Sequence, residues 1–191
     1  MIPAELLLHA YRNAVFPMAM ENGELGWFSP DPRAIIPIDG GFHVPHGLQR
    51  TLKKGPFEIR VNAAFEAVMR ACAQREETWI NEEIVASYVN LHRLGFAHSV
   101  EAWFEERLVG GLYGVALGGA FFGESMFHEM TDASKVALHA LVMRLRARGY
   151  ALLDTQWMTP HLATFGAHEI SRAEYRRRLR ACVDEERRFV D

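Results

Sequence analysis

Apolar and polar positions follow two different periods along this chain, and the changes between them mark its elements. Residues 5–14 keep helical spacing and stop before Phe16-Pro17, where a proline ring cannot continue a helix. A polar turn at Glu21-Asn22-Gly23 follows, then Trp27-Phe28-Ser29-Pro30-Asp31-Pro32-Arg33. Two prolines remove backbone donors there, so a rigid loop is expected rather than a central strand. The boundary between a small N-terminal lobe (1–33) and a main domain (34–191) is placed at this loop. Helices are predicted over residues 62–74, 81–94 and 132–148, the second capped by Asn81 and the third by Thr131 or Asp132. In the third, Leu138, Leu141, Val142 and Leu145 keep three- and four-residue spacing, and Gly149 stands in the position that ends a helix.

Strand-like alternation fills the interval between those last two helices. Ser99 to Phe104 and Leu108 to Leu117 flank a Glu105-Glu106-Arg107 turn, as in a hairpin. Gly118-Gly119 turns the chain into Ala120 to Phe127, and Ala151 to Trp157 returns it after the long helix. Hairpin, strand, helix, strand implies an α/β (α+β) domain with a mixed sheet.

Composition narrows the class. With 191 residues, 49% of them hydrophobic, the chain can bury one good core, and it carries no repeat or low-complexity tract. No apolar run is long enough to span a bilayer, and no signal-peptide pattern opens the chain, so a cytoplasmic setting is expected. Cys72 and Cys182 stand far apart, and the nine His follow no ligand spacing, which argues against a disulfide framework or a metal site. Net charge is −3, yet residues 171–180 hold Arg172, Arg176, Arg177, Arg178 and Arg180 against one Glu. A solvated helix face and a phosphate-contacting surface both fit that run.

Chemistry is expected at the strand ends beside the long helix. Glu124 lies within one apolar strand, Asp154 and Gln156 two apart within the next. Polar groups in such strands are costly unless hydrogen-bonded, so they form either an internal network or one side of a cleft. His161 fits a structural role, and Ser125 has neither an elbow motif nor a spaced His. An acyl-CoA N-acetyltransferase shares the strand–helix–strand plan but grips pyrophosphate with a glycine-rich loop at the helix N-terminus. Here Phe127 to Lys135 has no glycine and two acids, so CoA is not an expected ligand. A catalytically idle binding protein is the other alternative.

Several ordered blocks carry a resemblance. They are Tyr11-Arg12-Asn13-Ala14-Val15-Phe16-Pro17, the Trp27-to-Arg33 loop, Thr78-Trp79-Ile80, His98-Ser99-Val100-Glu101 and Val109 to Val115. Gly123-Glu124-Ser125-Met126-Phe127, Ala133-Ser134-Lys135, Leu153-Asp154-Thr155-Gln156, His161 and Phe165 to Ile170 complete them. Together they resemble the leucyl/phenylalanyl-tRNA–protein transferases over residues 5–175. The resemblance implies a GNAT-like domain behind the N-terminal lobe, with no metal, nucleotide or CoA. It implies transfer of Leu or Phe from charged tRNA to proteins beginning with Arg or Lys, in the N-degron pathway. It implies that Gln156 contacts the acceptor amine, that Asp154 polarises it, and that Glu124 orients it. Asp154→Ala and Gln156→Ala are then expected to fold normally and transfer slowly. Matching positions make Leu112, Phe121, Met126, Leu141 and Leu153 an aminoacyl pocket, although helical Leu141 fits plain core equally well. Met18, Trp79 and Tyr88 are the expected aminoacyl-adenosine contacts, with Met18 standing where several members have Trp. The Arg172–Arg180 cluster becomes the expected contact with tRNA phosphates.

Overall fold

A computed structural model of the chain describes residues 1–75 and 78–191. It begins with α1 (Ala4–Arg12) and a ribbon of β1 (Phe16–Ala19) and β2 (Leu25–Phe28). Next come β3 (Arg33–Ile36), α2 (His46–Lys54), β4 (Glu58–Val61), α3 (Phe65–Ala73) and α4 (Glu82–Arg93). The hairpin β5 (Ala97–Phe104) and β6 (Arg107–Leu117) leads into β7 (Ala120–His128), α5 (Ala133–Ala147) and β8 (Leu152–Gln156). Short α6 (Pro160–Ala163) and β9 (His168–Ile170) precede α7 (Arg172–Cys182).

Seven strands form one mixed sheet in the order β4-β5-β6-β7-β8-β3-β9. Only β7 and β8 run parallel, joined by α5, as a strand–helix–strand unit requires. Alternation along the strands separates two cores. Tyr113, Phe122 and Leu152 face α1, α3, α4 and α7, whereas Leu112, Phe121 and Leu153 face α5.

The expected mixed α/β sheet with its small N-terminal region is what the chain adopts. Asn81 caps α4 by accepting from the Ile84 N–H at 2.9 Å. Glu105 and Glu106 take left-handed backbone angles in the β5–β6 turn, and Gly149 has φ 71° just beyond α5. Asp132 sits at the α5 N-cap position but makes no cap bond, because its carboxylate pairs with Lys135 and Thr51 at 2.8 and 2.7 Å.

Two other expectations need correction. The supposed loop 27–33 is strand at both ends, with Arg33 opening β3 in the interior of the large sheet. Its prolines are confined to the connection, so the ladders keep their donors. Helix α2 lies outside the predicted set, and α7 is foreseen only as a solvated helix face in the arginine run. They bury only narrow stripes, Leu48 in one and Tyr175, Leu179 and Cys182 in the other, leaving mostly charged sequence.

Region 1–33 packs directly on the sheet. Leu7, Tyr11 and Phe16 belong to the same buried cluster as Ile84, Tyr88 and Phe122. No helix among the described residues is long and apolar enough to cross a membrane. Both cysteines are buried thiols, and no group of three or more His, Cys, Asp or Glu among the described residues could hold a metal ion.

Candidate active site

The two parallel strands pair only from Ala120 to Phe122 against Leu152 to Asp154. Beyond that point β7 continues along β6 while β8 ends at Gln156. A gap therefore opens at the carboxyl ends of adjacent parallel strands, where α/β sheets place their ligands. It is a cavity of about 480 Å³, within the range of small-molecule sites. Its apolar wall combines Leu112, Met126 and Leu153 from the sheet with Leu138 and Leu141, one turn apart on α5. Met18, Trp79 and Trp157 stand around it, and Tyr113, Glu124, Thr155 and Gln156 supply polar groups.

Those polar groups are under-partnered. Glu124 is 9% exposed, and its Oε1 accepts from the Tyr11 hydroxyl at 2.5 Å and from Gln156 Nε2 at 3.3 Å. Tyr11 and Tyr88 share a short hydroxyl contact behind it. Glu124 Oε2, Tyr113 Oη and Thr155 Oγ1 are buried without any partner among the described residues. Buried polar atoms are usually satisfied, so three orphans around one cavity mark a place built to bond something else. Burial pushes the Glu124 pKa up to about 7; Tyr11 lowers it, Asp154 raises it, and Gln156 and Arg33 lower it.

Gln156 is held from behind. It is a non-glycine residue with φ 68°, a conformation that costs free energy and so needs support. The support is its own N–H, which donates to Asp154 Oδ1 at 2.9 Å. Asp154 in turn takes a two-pronged bond from Arg33, Nε to Oδ1 at 2.9 Å and Nη2 to Oδ2 at 2.6 Å, and a third from the Tyr175 hydroxyl at 3.0 Å. Arg33 also donates to the Ala14 carbonyl at 3.0 Å and lies over the rings of Phe16 and Tyr175. Burial opposes its charge, but Asp154 outweighs that and raises its pKa.

Apart from the arginine run, eight of the eleven expected site residues meet at this cavity and three do not. Glu124, Gln156, Leu112, Met126, Leu141, Leu153, Met18 and Trp79 all line it. Asp154 is fully buried outside the lining, with its oxygens committed to Arg33, Tyr175 and Gln156, so it cannot polarise a substrate amine directly. Its part is to hold Gln156. Phe121 lies deeper on the α5 face, 5.2 Å from the Phe189 ring and outside the lining, in the same buried cluster as the apolar wall. Tyr88 is fully buried and bonded to Tyr11, so it offers no surface to an adenosine. His161 lines the cavity with its ring edge-on to Phe165, in a short helix capped by Thr159.

Four contributors had gone unassigned. Leu138 carries a signal, three residues before Leu141 on one helix face. Arg33 and Tyr11 carry none, because their partners lie far away in sequence, and Tyr113 carries none because it is one aromatic position in an otherwise apolar strand. The arginine run is helix α7: Arg177 and Arg178 both pair with Glu174, while Arg176 and Arg180 are exposed and make no ion pair among the described residues. Arg172 donates its backbone N–H to Asp31 at the α7 start, and its side-chain Nε is buried without a partner among the described residues.

Comparison with known proteins finds matches over nearly the whole chain. Residues 35–180 match the family described as leucyl/phenylalanyl-tRNA protein transferase, and residues 1–31 match the N-terminal domain of the same family. A protein of Akkermansia muciniphila named leucyl/phenylalanyl-tRNA–protein transferase is 58% identical over 186 residues, covering 95% of this chain and 96% of that one. One of Herpetosiphon aurantiacus with the same name is 58% identical over 175 residues, covering 92% and 91%. One from a Ruegeria species is 54% identical over 191 residues, covering 99% and 90%. Similarity at this level over both domains leaves one assignment. The chain belongs to the leucyl/phenylalanyl-tRNA–protein transferase family.

Proposed function

We propose that this enzyme carries leucine or phenylalanine from the 3′ end of charged tRNA to the α-amino group of proteins beginning with Arg or Lys, which marks them for degradation by the N-degron pathway. One observation carries the reading: a leucine-lined cavity ends against Gln156 and Glu124, beside polar atoms of Glu124, Tyr113 and Thr155 that have no partner among the described residues. The apolar wall suits a γ-branched or aromatic side chain, and the polar end suits an amine approaching an ester carbonyl. An aminoacyl ester is already activated, so the enzyme's task is orientation of two reactants.

In this reading the carboxamide oxygen of Gln156 accepts from the acceptor amine, while its Nε2 stays bonded to Glu124. Asp154 and Arg33 keep the backbone of residue 156 in place. Met18 and Trp79, brought together by the Ala19 N–H bond to the Trp79 carbonyl at 3.1 Å, hold the aminoacyl-adenosine end. No CoA is required, and Asp132 places a carboxylate at the start of α5 where a pyrophosphate would otherwise bind.

Arg176 and Arg180, with neighbouring Arg172, Arg177 and Arg178, meet the phosphates of the tRNA acceptor stem. Such contacts release counter-ions, so transfer at limiting tRNA should fall steeply between low and physiological salt. Arg176→Ala with Arg180→Ala should flatten that slope. A rate independent of salt would remove phosphate contacts from the account.

The test of the whole reading mixes the purified chain, labelled leucyl-tRNA and an Arg-initiated peptide, with and without acetyl-CoA. Label should move to the peptide N-terminus in both mixtures. Acetylation of the peptide without leucine transfer would replace this function with the acetyltransferase alternative. Binding of tRNA with no transfer would leave only a binding protein.

A further inference from the structure

Transfer of an acyl group to an amine releases a proton, and the carboxamide of Gln156 does not take one up. We infer that Glu124, through its unpartnered Oε2, takes the proton from the attacking amine and returns it to the ribose oxygen, while Tyr11 holds the carboxylate through Oε1. This inference rests on the transfer reaction proposed above. The amine attacks as its free base: the C–N bond forms and the carbonyl electron pair moves onto oxygen as Glu124 accepts the nitrogen's proton. The C=O bond then re-forms, the ester C–O bond breaks, and the same proton passes from Glu124 to the departing 3′ oxygen. The products are an amide and an alcohol, and Glu124 is again a carboxylate.

Elimination among the surrounding groups supports the choice. Asp154 lies outside the cavity with its oxygens committed to protein donors. Tyr113 reaches the cavity, but burial raises its pKa well above the usual 10.0, and so it serves only as a donor. His161 packs edge-on against Phe165, and burial, Lys135 and His128 all lower its pKa from 6.5. Arg33 and Arg75 are cations. Glu124 alone combines a place in the wall, a free acceptor oxygen and an environment that holds its pKa close to 7. General bases work best when their pKa lies near the operating pH.

Tyr11 is the positioning residue in this device. Its hydroxyl donates to Glu124 at 2.5 Å and is itself contacted by Tyr88, which fixes one oxygen and leaves the other to the substrate. That hydrogen bond favours the carboxylate, so it lowers the pKa that burial raises. Removing it must therefore move the ionisation of Glu124 to higher pH. A role in packing alone would not.

The experiment measures single-turnover leucine transfer on both sides of pH 7. The acceptor is an Arg-initiated peptide whose N-terminus carries a semicarbazide, a nucleophile that stays unprotonated on both sides of pH 7, so that the acceptor's own ionisation drops out. The wild type should lose rate as pH falls and Glu124 gains a proton. Glu124→Gln should transfer about 10²–10⁴-fold more slowly and lack that acidic limb. Tyr11→Phe should lose less rate at high pH than Glu124→Gln does, while its acidic limb rises by about one pH unit. Tyr88→Phe, a milder change, should shift it in the same direction by less. An unmoved limb in a folded Tyr11→Phe, or a wild-type rate in Glu124→Gln, would overturn the assignment of the proton to Glu124. Absence of leucine transfer by the wild type at every pH would overturn the parent function too, and it is seen before any variant is made.

Discussion

Arg33→Met is expected to lower the free energy of unfolding by about 3–5 kcal/mol, because it strands a buried carboxylate without its counter-ion. The pair involved, Arg33 with Asp154, is 1% and 0% exposed and joined at 2.6 Å. In a chain of this size that loss corresponds to a fall of roughly 6–20 °C in the melting temperature. Asp154→Ala should be as damaging, since it leaves the guanidinium buried and also frees the Gln156 N–H. The sequence alone suggested that Asp154→Ala would fold normally, and the buried ion pair reverses that expectation. Replacing both partners by apolar residues should recover much of the stability, because no lone charge remains. It should not recover transfer, because Gln156 then loses its anchor. Thermal melts of the two single variants and the double variant check this; an Arg33→Met protein that melts with the wild type would refute it.

Gln156→Ala should behave in the opposite way, folding well but transferring roughly 10²–10³-fold more slowly, the usual loss when one preorganised polar contact is removed. Alanine is also strained at φ 68°, so part of any stability change belongs to the backbone. Gln156→Asn separates the two effects. Asparagine tolerates the left-handed region, yet its amide ends one methylene short of the substrate. Equal slowing in both variants, with better stability for Asn, assigns the loss to the amide's position. Wild-type turnover in either folded variant removes Gln156 from the reaction.

Much of this site could be read from the chain, for identifiable reasons. Helix α5 and strands β5 to β8 announce themselves because each has a strong period and a turn residue at its end, such as Gly118 or Gly149. Glu124 and Gln156 stood out as polar residues in apolar strands, where their hydrogen-bonding needs had to be met somewhere. What alternation cannot supply is the point at which two strands part. Phe121 and Leu153 face each other across the parallel ladder on the α5 side, yet only Leu153 reaches the cavity. Pairing over long separations is equally silent. Arg33 and Asp154 are 121 positions apart, and Tyr11 and Glu124 are 113 apart, so no local pattern joins them. Tyr88 was misjudged for a related reason: the resemblance implied an adenosine contact, but only the packing of α1 on α4 shows this side chain to be covered. The buried side of helix α7 escaped because its stripe is three residues wide amid arginine.

The central claim is that the leucine-lined cavity receives the side chain of the donated amino acid. Its most direct test is single-turnover transfer to an Arg-initiated peptide from leucyl-tRNA and from isoleucyl-tRNA under identical conditions. A pocket shaped by Leu112, Met126, Leu138, Leu141 and Leu153 should favour leucine by roughly 10–200-fold, the range that one misplaced methyl or methylene group commands in an apolar site. Equal rates from the two charged tRNAs would contradict it.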